Sequence, residues 1–265
     1  MLAFQALGVM ATGEVDEDAC VDRLSPTERH RYGTIRNRER RQRWIGGRLV
    51  AKYLFLTRWA GDRPSVVGSL PPRVDRVEPA ALERFPPHAY REIEILPRRR
   101  RDGGVPLVWR AGRPHSVHVS LASTRGLSGA CLDGTRPVGL DVEVPLRRHH
   151  AFYRINFSPA ERRWVEVLSE FGPIDVDRAY TLLWCLKEST MKSQQSDDLS
   201  LWQLPRITVQ LRSDPGAVVE VLRSTSLHRP LLRSEVEVRT HERTWIAEAA
   251  LATSPDAVIT VLSTR

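Results

Sequence analysis

The sequence predicts an α+β chain in which each half offers a layer of helices on a sheet. Three observations carry this prediction. Apolar or alternating runs of strand length lie in both halves, capped helix starts occur at Ser25 and Ser158, and no run approaches the length of a membrane span. The chain has 265 residues, enough for one large domain or two compact lobes with their own cores. Hydrophobic residues make up 41% and charged residues 27%, the balance of an ordinary globular fold.

Residues 3–10 have the character of a short buried strand. At Ser25-Pro26-Thr27-Glu28, Ser25 caps a helix, Pro26 suits its first position and Glu28 reaches back to close a capping box. The basic helix that follows (Arg29, Arg31, Arg36, Arg38, Arg40, Arg41, Arg43) runs into an apolar one from Trp44 to Trp59, where Gly46-Gly47 allows close packing. Prolines crowd 61–90, which predicts irregular connection with a short helix near 79–84. Residues 98–104, four arginines followed by Asp102-Gly103-Gly104, predict an exposed loop. Val117–Leu121 and Leu127–Leu132 are strands joined by a polar turn. Pro137 opens the second half, which sets the lobes at 1–136 and 137–265. Val138–Val144 is a strand, and helices follow from about Pro159 to Ser169 and from about Asp177 to Ser193. The runs 206–211, 217–223, 234–239, 244–251 and 257–262 predict an antiparallel sheet. No internal sequence repeat stands out.

The apolar Met1–Met10 has no basic flank and is followed by Glu14, Asp16, Glu17 and Asp18, the wrong pattern for a signal peptide. The expected location is cytoplasmic, with no membrane partner. Cys20, Cys131 and Cys185 are odd in number and widely spaced, which supports neither a disulfide framework nor a zinc site. The formal charge of +8 suits nucleic acid, an acidic protein or phosphate-rich ligands. No nucleic-acid-binding motif accompanies it, so nucleic acid is not expected as a partner. Nearly every cation is arginine, and the only lysines are Lys52, Lys187 and Lys192. That scarcity is either a compositional accident or a mark of places where a compact, proton-exchanging ammonium is needed.

Two constellations carry chemistry. In Val138-Gly139-Leu140-Asp141-Val142-Glu143-Val144, strand alternation puts the four apolar side chains on one face. Asp141 and Glu143 project together from the other, with Gly139 leaving room beside them. Adjacent carboxylates repel unless a cation neutralises them, and hard oxygen ligands suit Mg²⁺. The same pattern also fits a solvated strand face. In Trp184-Cys185-Leu186-Lys187-Glu188-Ser189-Thr190-Met191-Lys192, helical spacing stacks Trp184, Glu188 and Lys192, with Lys187 beside them. This is either a reactive face or a Glu–Lys pair that supports the helix. Between the two, Phe157-Ser158-Pro159-Ala160-Glu161 is a capped helix start with Glu161 in its first turn.

In order and spacing, Gly-x-Asp-x-Glu, Phe-Ser-x-x-Glu and Trp-x-x-Lys-Glu-x-x-x-Lys resemble the signature of surfactin-type (Sfp-type) 4′-phosphopantetheinyl transferases. Upstream, Ser25-Pro26-x-Glu28-Arg29 leading to Arg43 and Gly47-Arg48 is similar to that family's first motif. Gly104-Val105-Pro106 and the strand Val117–Ser120 resemble its nucleotide-binding stretch. The resemblance covers about 24–210. It implies two similar α+β lobes related by pseudo-twofold symmetry, with the active site between them. It also implies Mg²⁺-dependent transfer of the phosphopantetheine arm of coenzyme A to the serine of an acidic apo acyl- or peptidyl-carrier protein, releasing 3′,5′-ADP. Such an enzyme is a monomeric holo-carrier-protein synthase serving polyketide or nonribosomal peptide biosynthesis.

On this resemblance, Asp141, Glu143 and Glu188 hold the metal. Glu188, or Glu161 through a water, takes the serine proton. Lys187 and Lys192 neutralise phosphate oxygens, and Lys192 protonates the leaving group. Arg31, Arg43, Arg48, Gly104, Val105, Pro106 and Ser123 complete the coenzyme A site. Two departures favour a second reading, a divergent or repurposed member that binds coenzyme A or a carrier without transfer. Ala122-Ser123 stands where the family has Ser-His, and Ser193–Leu199 holds none of the glycines usual after the last lysine.

Overall fold

The computed structural model describes residues 6–11, 16–59, 74–97, 105–194, 201–224, 231–240, 244–254 and 257–264. Its contacts gather into two compact units, within Ala3–Pro137 and within Val138–Arg265. Both are α+β.

The N-terminal unit runs β1 (Ala6–Ala11), α1 (Glu17–Val21), α2 (Pro26–Gly33), α3 (Arg38–Trp59) and β2 (Asp75–Arg76). A 3₁₀ turn (Pro79–Arg84), α4 (Pro87–Arg91), β3 (Ile93–Pro97), β4 (Pro106–Arg110), β5 (Arg113–Thr124) and β6 (Leu127–Asp133) follow. The sheet order is β2-β1-β6-β5-β4-β3. Among the described residues, only β1 and β2 of this sheet pair in parallel. The basic and apolar stretches at 38–59 form one helix, α3, whose Ile45, Leu49, Val50, Leu54 and Phe55 are buried in the core. The predicted capping box at Ser25 is present in both directions. The loop expected at 98–104, with Gly104, lies outside the described residues.

The C-terminal unit runs β7 (Val138–Glu143), α5 (His150–Asn156), α6 (Pro159–Glu170), α7 (Val176–Ser193) and a 3₁₀ turn (Leu201–Arg206). Then come β8 (Thr208–Leu211), α8 (Pro215–Leu222), β9 (Leu232–Arg239), β10 (Thr244–Ser254) and β11 (Ala257–Thr264). The sheet is antiparallel throughout, in the order β7-β11-β10-β9-β8. One of the five runs expected as strand is helix. Residues 217–223 fall largely in α8, because Asp214 caps the Ala217 N–H and Pro215 fixes the first turn. Val218, Val219 and Leu222 then share a buried face at helical spacing, which outweighs the strand preference of valine.

A repeated arrangement that sequence inspection missed underlies both units. Each α2-like start, Ser25-Pro26-Thr27-Glu28 and Ser158-Pro159-Ala160-Glu161, closes a capping box. The glutamate then bonds a strand N–H, Ile95 in one unit and Val209 in the other, each at 2.9 Å. Its remaining partner is a buried lysine of the long helix, Lys52 or Lys187. Each lysine also donates to the carbonyl two residues before the capping serine, Arg23 at 3.1 Å and Asn156 at 2.6 Å. Serine, proline, glutamate and lysine are too few, and too far apart, to register as a repeat by eye.

Candidate functional site

Strand β7 and helix α7 build the site. The antiparallel register puts Gly139, Asp141 and Glu143 beside Leu262, Thr260 and Val258 of β11. Helix α7 lies directly on this face. A Cβ on Gly139 would stand 1.8 Å from the Ser189 carbonyl oxygen and 2.6 Å from the Ser193 nitrogen, so only glycine permits the approach. Ser189 fastens the helix, meeting the Thr260 hydroxyl at 2.6 Å and donating to its carbonyl at 3.1 Å. This contact brings Glu188 and Lys192 over Asp141.

Ligand oxygens of Asp141, Glu143 and Glu188 all lie within 4.8 Å of one another. Lys192 Nζ donates to Asp141 Oδ1 at 2.6 Å and lies 3.3 Å from Glu188 Oε2. Among the described residues, Asp141 Oδ2 is buried without a hydrogen-bond partner. Burial, reinforced by Asp141 and Glu188, pushes the Glu143 carboxyl up to about 7. Burial and Asp141 raise Glu188 as well, against the pull of Lys192. Burial disfavours the Lys192 ammonium, but Asp141 and Glu188 outweigh it and hold its pKa above the usual range. Lys192 thus bridges two of the three carboxylates, and Glu143 has no ion pair with it. An orphaned oxygen amid surplus negative charge fits a hard divalent cation with oxygen ligands.

Trp184 packs on Phe152 with ring centroids 5.1 Å apart. With Tyr153 and Tyr180 it lines a shallow crevice that reaches Glu143. Helix α5, which supplies Phe152 and Tyr153, has no fully buried residue, so its sequence carries little helical signal.

The structure groups the expected residues differently from the sequence. Asp141, Glu143, Glu188 and Lys192 come together. Glu161 and Lys187 form their own buried pair at 3.0 Å, and the Glu161 carboxylate is not a member of the cluster. Both Glu161 oxygens are committed, Oε2 to Ser158 N–H and Lys187, Oε1 to Val209 N–H. Burial lowers the Lys187 pKa, and Glu161 opposes the shift.

Within the N-terminal unit, Arg31, Arg36, Asn37, Arg40 and Trp44 line a groove of about 560 Å³. Of the three arginines expected at coenzyme A, only Arg31 lines it. Arg48 instead stacks on the Trp44 ring at 3.5 Å and donates to the Trp44 carbonyl at 3.2 Å. Burial pulls its guanidinium down to about 9; Glu28 opposes this and Arg31 adds to it. Arg43 has a buried Nε without a partner, and its carbonyl accepts from Ser128 Oγ. Val105 precedes β4, Pro106 begins it, and Ser123 is exposed on β5 beside the buried Ala122. Arg36, Arg40 and Trp44 were missed as lining residues. Their arginine-rich setting was visible, but the turn between α2 and α3 that gathers them was not.

No curated protein matches the chain. Residues 137–254, which span β7 through β10 and include every member of the carboxylate cluster, match the model of the 4′-phosphopantetheinyl transferase superfamily.

Proposed function

We propose that the chain is a divalent-cation-dependent 4′-phosphopantetheinyl transferase acting on a carrier-protein serine. The observation that carries this reading is the cluster of Asp141, Glu143 and Glu188 with Lys192, inside the segment that matches the superfamily.

Mg²⁺ held by Asp141, Glu143 and Glu188 would offset charge on the coenzyme A pyrophosphate and on the departing phosphate. The serine hydroxyl attacks the phosphorus that carries the pantetheine arm. A phosphoester bond to serine forms as the bond to 3′,5′-ADP breaks. Glu188 accepts the serine proton. The 3′,5′-ADP departs as a phosphate anion whose charge the cation would offset, while Lys192 holds Asp141 and Glu188 in place. Within the N-terminal unit, Arg31, Arg36 and Arg40 give the groove fixed positive charge that suits a phosphate ligand. Glu161 and Lys187 act by holding α6, α7 and β8 together.

Apo carrier proteins of polyketide, peptide and fatty-acid type, incubated with the protein, coenzyme A and Mg²⁺, test this by intact mass. Gain of one phosphopantetheine arm, abolished by EDTA, is the expected result. Ser123, at the position where the family carries histidine, supports a second reading, binding without transfer. No gain on any carrier together with retained coenzyme A binding would select that reading.

A further inference from the structure

We infer that Lys192 is a permanent counter-ion of the metal centre: it holds Asp141 through Oδ1, leaves Oδ2 to the cation, and sets the charge of the site to suit a divalent ion. This rests on reading the carboxylate cluster as a metal centre.

The two oxygens of Asp141 have separate fates. Oδ1 takes the Lys192 ammonium at 2.6 Å, while Oδ2 is buried with no partner among the described residues. Lys192 also reaches Glu188 Oε2 at 3.3 Å, so one ammonium fixes two of the three carboxylates. A carboxylate tethered by one oxygen presents the other in a set direction, as outer partners orient ligands in metal centres generally. The charges then balance. With all three carboxylates ionised, as cation binding favours, Asp141, Glu143 and Glu188 contribute three negative charges and Lys192 one positive, which leaves two for the cation. Lys192 is thus a positioning residue that stays in place when the ion binds. It does not act as a stand-in that the ion expels.

The scarcity of lysine makes the test clean. The full chain labelled at lysine gives three ammonium signals, from Lys52, Lys187 and Lys192. Those of Lys52 and Lys187, held in buried pairs, serve as internal references. On saturation with Mg²⁺, the Lys192 signal is expected to shift yet exchange with water no faster than before. Faster exchange at Lys192, with the other two unchanged, would mean that the ion displaces it and would overturn the inference.

Calorimetric titration of Mn²⁺ and Tb³⁺ supplies the second readout. Removing the positive charge in Lys192→Met should strengthen trivalent binding more than divalent binding, raising the preference for Tb³⁺ over Mn²⁺ about tenfold or more. Lys192→Arg keeps the charge and should keep the wild-type preference. An unchanged preference in Lys192→Met, with both ions bound, overturns the counter-ion role alone. Absence of Mn²⁺ binding in the wild type and both variants overturns that role and the metal-centre reading together.

Discussion

Lys187 Nζ lies 3.0 Å from Glu161 Oε2 with both side chains shielded from water, and Lys52 and Glu28 form the same buried pair in the other unit. Removing one partner leaves an uncompensated buried charge. Glu161→Gln and Glu28→Gln should therefore each cost about 3–5 kcal/mol of stability. Replacing both partners of one pair with apolar residues of similar volume should recover most of that loss. Denaturant unfolding of single and double variants checks this; full stability in the single variants would show that the pairs are not structural staples.

Gly139→Ala probes the seat of α7 on β7. The added methyl would stand 1.8 Å from the Ser189 carbonyl, and backbone cannot yield as a flexible side chain can. The expected outcome is a loss of at least about 2 kcal/mol and of divalent-ion binding together, because the same contact carries Glu188. Thermal melts with and without Mn²⁺ measure both. A variant that melts like the wild type and binds Mn²⁺ equally would contradict the assigned packing.

Much of this arrangement was legible in the sequence. The Ser25 and Ser158 capping boxes, the α7 face and the alternation that pairs Asp141 with Glu143 follow from spacing alone. What spacing did not reveal depends on tertiary partners. Glu161 resembled a site residue because it lies in a motif, yet its carboxylate is taken up by Ser158, Val209 and Lys187, and Val209 is 48 residues away. Lys187 and Lys192, five residues apart on one helix, meet different neighbours, Glu161 and Asp141. The run 217–223 misled because valine favours strands, whereas the Asp214 cap decided for helix. Helix α5 and strand β4 gave weak signals, the first without a fully buried residue and the second with Val108 as its one buried position.

A pH dependence follows from Glu143. Its folded-state pKa is raised from its ordinary value to about 7 by burial and then by Asp141 and Glu188. The folded form keeps this proton at pH values where the unfolded chain has released it. The stability this contributes is present at acid pH and is lost as pH rises through about 7. In EDTA, the melting temperature should fall between about pH 5 and about pH 7.5, and Mg²⁺ should remove the fall by favouring the ionised cluster. Scanning calorimetry in both buffers decides; a melting temperature that climbs over this range in EDTA would contradict the assignment.

The groove arginines should separate into two classes. Arg31 and Arg40 line the groove, so alanine at either should weaken coenzyme A binding about tenfold and flatten its salt dependence while leaving the melting temperature unchanged. Arg48 stacks on Trp44, so Arg48→Ala should lower stability by about 1–2 kcal/mol. Fluorescence titration of coenzyme A at two salt concentrations, alongside melts, distinguishes the classes. Equal effects of all three variants on stability would show that the groove is an extension of the core.

The account turns on whether Asp141, Glu143 and Glu188 together hold a metal ion. Calorimetric titration of Mg²⁺ into the wild type and Glu188→Gln tests this most directly. One ion per chain in the wild type and at least about a hundredfold weaker binding in the variant, with both melting alike in EDTA, is the predicted result. No binding to the wild type, or equal binding to both, would show that the cluster is not the metal centre.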